Sequence, residues 1–175
     1  MPVERWRIRI SGFICGNFFD ALAWLEGANR TTDCYDPDLV NLGAATMRIE
    51  HIALWTNDLE RCKAFYTTYF GATPGAKYVN AAKGFESCFL SFGDGARIEA
   101  MTTSQLAPLV LAPGIERMGL THLAISVGSE AMVDRLTQKL RKDGFPIEDG
   151  PRRTGDGYYE SVVLDPDGNR IEIAA

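Results

Sequence analysis

The chain has 175 residues and a mass of 19.3 kDa, enough for one sizeable core and too short for two ordinary enzyme domains. Apolar residues make up 46% and charged residues 23%, which predicts a folded globular protein, and no long apolar run predicts a membrane span. The 18 basic and 23 acidic residues give a net charge of −5, which argues against a nucleic-acid-binding surface. The cysteines form no metal-binding or redox pair, and we interpret them as reduced, mostly buried thiols of a cytoplasmic protein: Cys15, Cys34, Cys62 and Cys88.

The first 46 residues differ in pattern from the rest of the chain. A signal peptide is disfavoured, because Gly12, Gly16 and Asp20 interrupt the only candidate apolar core of such a peptide. Met47 directly precedes a strand pattern over residues 48–56. We therefore interpret residues 1–46 as an N-terminal extension whose role stays open, and residues 47–175 as the functional domain. The alternative is a genuine N-terminal subdomain that packs on the main fold.

The domain itself consists of an internal repeat. The segment IEHIAL at 49–54 matches LTHLAI at 120–125, and DGARIE at 94–99 matches DGNRIE at 167–172. FES at 85–87 also matches YES at 159–161. The repeat predicts two modules, 48–103 and 119–175, joined by a linker over residues 104–118.

Each module predicts a strand, a helix and then three strands. Asn57, with Glu60 three residues later, is typical of a helix start, and Gly71 predicts the helix end. Ser129 and Gly144 predict the bounds of the second helix, and glycine-containing turns at 93–95 and 166–168 precede the last strands. The order βαβββ, twice, predicts an α+β fold of two tandem modules. The predicted apolar stripes are Leu59, Cys62, Phe65, Tyr66 and Tyr69 in the first helix and Met132, Val133, Leu136 and Leu140 in the second.

The chain's only two histidines, His51 and His122, occupy equivalent positions of the repeat. Each is matched by a glutamate on the last strand of its module, Glu99 or Glu172, on the face that strand alternation turns away from the helix. A single histidine on a strand is usually structural, but this coincidence favours a site. Two imidazoles and two carboxylates suit a divalent metal ion, with Zn or Ni preferred and Mn, Co or Fe as alternatives.

These segments, together with IEHIALWTNDLERCKAFY and VVLDPDGNRIEI, resemble the vicinal oxygen chelate superfamily of glyoxalases, bleomycin resistance proteins and extradiol dioxygenases. The resemblance covers about residues 48–174. It implies that the two modules form curved mixed sheets around a metal-binding cavity. It also implies that the metal ligands are His51, Glu99, His122 and Glu172, a set similar to that of glyoxalase I. It also implies a metal-dependent lyase or isomerase that acts through a metal-stabilised enediolate, with Glu172, or Glu99 by pseudo-symmetry, as the catalytic base.

The sequence departs from glyoxalase I at the residues that bind glutathione there. Trp55 stands where that family has an arginine that binds the glutathione carboxylate, and the family's asparagine after the first glutamate is not evident. A glutathione conjugate is therefore a doubtful substrate, and Trp55 favours a flatter or more apolar one. The same strand faces predict further contacts to a small-molecule substrate from Arg97, Met101 and Ser126.

Two other functions stay open at this point. One is a non-haem Fe(II) dioxygenase of the extradiol type, and the other is a drug-binding resistance protein without catalysis. Small members of the superfamily are usually homodimers, so the resemblance implies a homodimer, in which His51 and Glu99 of one chain meet His122 and Glu172 of the other.

Overall fold

The computed structural model of the protein describes residues 47–107, 116 and 118–175, and residues 47–175 form one compact unit. The extension 1–46 and most of the linker 104–118 lie outside the described residues, as do Cys15 and Cys34. The division into an extension and a domain of two modules therefore stays a prediction, whereas the α+β fold with two mixed sheets is confirmed.

The first module forms one mixed sheet with a helix on one face. Its central strand pairs are β1 parallel to β5 and β4 antiparallel to β5, while two short edge strands, β2 and β3, both pair with β4. One edge strand was expected here, and the structure divides it in two. The elements are β1 (His51–Trp55), α1 (Leu59–Phe70), β2 (Thr73–Pro74), β3 (Tyr78–Asn80), a 3-10 turn (Ala81–Lys83), β4 (Phe85–Ser91) and β5 (Arg97–Thr103).

The second module repeats this arrangement with four strands in the order β6-β9-β8-β7. The first and last strands again run parallel, and the other pairs are antiparallel. The edge strand stays continuous but shifts its register twice between Ile147 and Arg152. Its elements are β6 (Leu123–Ser126), α2 (Glu130–Lys142), β7 (Ile147–Arg153), β8 (Tyr159–Leu164) and β9 (Arg170–Ala174).

The helix ends follow the capping chemistry with two corrections. The first helix is capped by Asp58, whose carboxylate accepts a hydrogen bond from the Arg61 amide at 3.0 Å, and not by Asn57. Ser129 caps α2 as predicted, whereas Met132 is exposed and does not belong to the buried stripe. Gly71 ends α1 in the left-handed conformation, at φ 66°, where a residue with a Cβ would be strained.

The two modules share one core. Phe65 of α1 packs against Phe145, which follows α2, with ring centroids 4.9 Å apart. At the rim of this contact the buried Tyr66 hydroxyl donates to Asp165 at 3.0 Å. The helix side of each sheet is thus covered by packing within the chain, while the opposite faces stay available for a site.

No helix in the described part of the chain is long and apolar enough to cross a membrane.

Candidate metal and substrate site

The face of the first sheet that points away from α1 carries the predicted site residues. His51, Ala53 and Trp55 of β1 lie on it, next to Glu99 and Met101 of β5, while Leu54, Ile98 and Ala100 are buried on the helix side: the alternation places each set on its own face. The helix side forms the core, and the other side presents polar groups to solvent.

His51 is oriented by a neighbouring carboxylate. Its Nδ1 is hydrogen-bonded to Glu50, which also pairs with the Arg97 guanidinium. The hydrogen bond with His51, with help from Arg97, holds the pKa of Glu50 below its ordinary value. A carboxylate on Nδ1 favours the tautomer in which Nδ1 carries the proton, and that tautomer leaves the lone pair of Nε2 for another partner. That atom lies 3.9 Å from the Glu99 carboxylate.

The second module brings its own pair together in the same way. His122 stands directly before β6, and its Nε2 lies 3.4 Å from the Glu172 carboxylate of β9. Glu172 is half-buried and His122 is exposed. The described structure shows no carboxylate on the other ring nitrogen of His122, so Glu50 has no counterpart in this module.

Both pairs fit a divalent metal by donor type. Two ligands that each lie about 2.1 Å from a metal ion stand about 3.0 to 3.4 Å apart, a range that the 3.4 Å separation in the second module meets and the 3.9 Å separation in the first exceeds. Among the described residues of one chain, however, no group of three or more such donors comes together. Each module therefore presents half of the predicted ligand set.

Glu160 also lies on this face, a placement that the repeat match did not predict. The repeat match pairs Glu86 with Glu160, yet the strand registers place Phe89 opposite Glu99 and Val162 opposite Glu172, so that Ser87 is the true equivalent of Glu160. A shift of one residue moves a side chain to the other face. The offset of 73 residues between Glu99 and Glu172, applied to Glu160, gives Ser87 and could have revealed this equivalence.

Glu160 is a buried carboxylate, 8% exposed, with the Arg152 guanidinium at 3.3 Å. Burial, followed by the negative charge of Glu172, raises its pKa above the ordinary value. Arg152 is also held by Asp149, at 2.5 Å. The guanidinium therefore lies between two carboxylates and neutralises charge on the edge of the second sheet.

The predicted substrate contacts have different surroundings. The Arg97 guanidinium is engaged by Glu50 and lies 4.0 Å above the Phe89 ring, so its charge is already partly used. Met101 is half-buried opposite Trp55, and Ser126 is exposed opposite Ala174 in the second module. Arg97 and Met101 therefore lie on the same sheet as the His51–Glu99 pair, and Ser126 lies on the same sheet as the His122–Glu172 pair.

Trp55 borders a groove of about 410 Å³ at the far end of this face. The indole is 49% exposed and meets Phe85 edge to face, with centroids 6.2 Å apart. A neighbouring hollow of about 480 Å³, bounded by Glu86 and Thr102, extends to the side away from the His51–Glu99 pair. The groove at Trp55 is lined by Trp55, Tyr78, Asn80, Lys83, Phe85 and Thr103.

Comparison with known proteins identifies the relatives of this chain. The family model described as Glyoxalase/Bleomycin resistance protein/Dioxygenase superfamily matches residues 48–173. The uncharacterized protein YqjT of Bacillus subtilis is 27% identical over 132 residues, which cover 73% of this chain and 98% of that protein. A lactoylglutathione lyase of Salmonella typhimurium is 28% identical over 133 residues, 73% of this chain and 91% of the lyase.

Solved structures agree in fold. The trypanothione-dependent glyoxalase I of Leishmania major superposes with a TM-score of 0.59 at 24% identity, over 74% of this chain and 86% of that one. At this identity the likeness establishes the architecture alone.

Proposed function

Because the chain belongs to the Glyoxalase/Bleomycin resistance protein/Dioxygenase superfamily, we propose that it is a metal-dependent lyase or isomerase of the glyoxalase I type. The observation that carries this proposal is the pair of His–Glu units, one on each module, with N–O separations of 3.9 and 3.4 Å. Relatedness to a lactoylglutathione lyase supports the reaction class. Zn or Ni is the preferred metal for a set of two imidazoles and two carboxylates.

The site requires two chains in this proposal. One chain supplies His51 and Glu99, and a second chain supplies His122 and Glu172, because the described residues of one chain bring together only two donors at a time. A closed two-fold dimer then has two equivalent sites, and the dimer is the commonest assembly of soluble oligomers.

The reaction moves a proton between neighbouring carbons of the substrate. A bound divalent ion would supply Lewis-acid polarisation of two adjacent substrate oxygens. Glu172 takes the proton from one carbon and returns it to the next, with Glu99 as the base of the pseudo-symmetric alternative. Glu172 is half-buried on the site face of the second sheet, where its carboxylate lies 3.4 Å from the His122 ring.

The substrate differs from a glutathione conjugate. Trp55 presents an apolar ring in the position at which glyoxalase I carries an arginine, and a carboxylate gains no charge-assisted hydrogen bond from an indole. We therefore expect poor turnover of the methylglyoxal–glutathione hemithioacetal. Robust turnover of that compound would contradict this specificity while leaving the reaction class intact.

Metal analysis of protein purified without chelator tests the site. We expect about one divalent ion per chain in the wild type and a sharp loss in His51→Ala, His122→Ala and Glu99→Gln. Glu86→Gln is the matched control, since Glu86 lies on the helix side of its strand and pairs with Lys77 at 2.7 Å. Full metal content in a His51→Ala/His122→Ala double variant would refute the site.

A turnover screen then tests the reaction. Metal-loaded protein is offered 2-oxoaldehyde adducts of several thiols, and isomerisation is followed by the loss of the adduct's absorbance. In a parallel experiment, the protein is reconstituted with Fe(II) under anaerobic conditions and is then given catechols and oxygen. Oxygen consumption in that experiment, without isomerisation in the first, would identify an extradiol-type dioxygenase instead.

A further inference from the structure

The groove beside Trp55 differs in chemistry from the rest of the site face. Three aromatic rings line it. Two of them are about half exposed, Tyr78 at 55% and Trp55 at 49%. The ring centroids of Tyr78 and Trp55 each lie 6.2 Å from that of Phe85. Exposed aromatic surface on this scale is costly in water and usually marks a binding site.

The groove has the size of a small-molecule site. Its volume of about 410 Å³ falls within the range of roughly 300 to 1,000 Å³ that is usual for ligand pockets. The rings lie at steep angles to one another, with interplanar angles of 90° and 60°. A flat guest can therefore stack on one ring and meet the edge of another, as aromatic groups prefer.

A single basic side chain lies at the rim. Lys83 ends the 3-10 turn that connects β3 to β4, where the Asn80 side chain accepts a hydrogen bond from its backbone amide at 3.2 Å. In the described structure its ammonium has no carboxylate within 4.0 Å, unlike Lys63, Lys77 and Lys139. The groove thus combines an apolar aromatic wall with an available positive charge.

The groove shares its face with the His51–Glu99 pair. Trp55 stands opposite Met101 and Phe85 opposite Thr103, one and two side-chain steps along β5 from Glu99. At about 6.7 Å per step, an aromatic group in the groove lies roughly 7 to 13 Å from the His51–Glu99 pair. A single elongated molecule can therefore occupy both.

We propose that this groove binds the aromatic end of an anionic substrate, with Trp55, Tyr78 and Phe85 holding a planar ring system and Lys83 pairing with an acidic group on it. The substrate class is a planar aromatic acid whose reacting oxygens lie at the other end of the molecule. This assignment rests on the proposed function for its placement next to a reaction site, but binding in the groove needs no metal.

The test measures binding of 2-naphthoate to the full chain by calorimetry in the presence of EDTA. We expect Trp55→Ala to weaken binding about tenfold, since an aromatic contact and its buried area are lost together. Tyr158→Ala is the matched control, because Tyr158 is 57% exposed in the second module and lies outside the groove. Equal affinities in these two variants would overturn the proposal.

Two further probes test the role of charge and the role of ring planarity: a neutral amide and a saturated acid. Lys83→Gln should weaken 2-naphthoate binding about threefold and leave 2-naphthamide unchanged, a typical effect for an exposed ion pair. Cyclohexanecarboxylate, which is not planar, should bind at least tenfold more weakly than 2-naphthoate. Equal binding of the saturated acid, or no binding of 2-naphthoate by the wild type, would refute an aromatic acid site. His51→Ala should lose metal and keep 2-naphthoate affinity, so that failure of the metal site and failure of the groove are told apart.

Discussion

At the scale of single residues, the carboxylate beside His51 is the most informative group of the site. Glu50 holds Nδ1 and is itself held by Arg97, which leaves Nε2 directed toward Glu99. Partners of this kind fix the tautomer and orientation of a ligating histidine before any metal arrives. The role of Glu50 could not be predicted from the sequence, because an acidic residue next to a histidine is common and carries no signal by itself.

Glu50→Ala should therefore lower metal affinity by about tenfold or more, since the histidine ring loses its orientation and its preferred tautomer. Competition with a fluorescent chelator measures the change. Glu130→Ala is the control, because Glu130 is another exposed glutamate paired with an arginine, but it lies on α2 and not beside a histidine. Unchanged affinity in Glu50→Ala would show that Glu50 does not orient His51.

The thiol of Cys62 illustrates a residue that the fold makes inert. Burial, and after it the charges of Asp165 and Asp167, raise its pKa to about 12. At pH 8 the reactive thiolate is then about one part in 10,000, compared with roughly a quarter for an ordinary thiol. In a variant whose other three cysteines are replaced, we expect no reaction with a disulfide reagent at pH 8 until guanidinium is added. Rapid reaction of the folded protein would contradict the buried environment.

At the scale of elements, the turn between β8 and β9 fastens the two modules together. Asp167 accepts hydrogen bonds from the Thr56 hydroxyl at 2.6 Å and from the Asn57 amide at 3.2 Å, and pairs with Arg61 at 3.1 Å. Thr56 is almost fully buried, and of its two acceptors the Asp167 carboxylate at 2.6 Å is nearer than the Asp58 carbonyl at 3.1 Å. The turn of one module thus completes the start of α1 in the other.

Asp167→Ala should reduce the free energy of unfolding by about 2 to 3 kcal/mol, because it removes the carboxylate that accepts hydrogen bonds from Thr56, Asn57 and Arg61. Urea unfolding, followed by circular dichroism, gives the value. Asp94 occupies the same repeat position in the first module and is exposed, so Asp94→Ala is expected to cost less than about 0.5 kcal/mol. Similar losses in the two variants would show that the contact contributes nothing particular.

The strand faces could be predicted from the sequence because they follow a period of two, and the placement of Trp55, Glu99 and Glu172 on the site face agrees with the structure. Glu160 could not be placed, since a one-residue error in aligning the repeat reverses its face. Contacts such as that of Tyr66 with Asp165 join residues 99 positions apart and have no local signature. The aromatic groove could not be predicted for the same reason, because Tyr78 and Phe85 reach Trp55 only through the pairing of four strands.

At the scale of the whole molecule, the shared core explains why one chain keeps its two His–Glu pairs apart. Packing of Phe65 on Phe145 joins the modules through their helix sides, and the faces with His51 and His122 both remain exposed. A second chain that covers these faces would bury polar donors that need a common partner. The proposed metal ion supplies one.

Mixing of two inactive variants tests this assembly. His51→Ala and His122→Ala chains are unfolded together and refolded, so that mixed dimers form. If sites are shared between chains, each mixed dimer regains one intact site, and metal binding and activity return to about a quarter of the wild-type level at a 1:1 ratio. Absence of any recovery, with dimers verified by mass, would place each site within one chain.

The two equivalent turns differ in their contacts with the rest of the protein, and this difference has a practical consequence for engineering. The turn at 166–168 is committed to the other module, whereas the turn at 93–95 is exposed, and the described structure gives Asp94 no side-chain hydrogen bond or ion pair. Exposed turns with few backbone ties accept foreign segments readily. A short epitope or fluorophore tag placed at Asp94 should therefore report on the first module without loosening its junction with the second, while the same insertion at Asp167 should separate them.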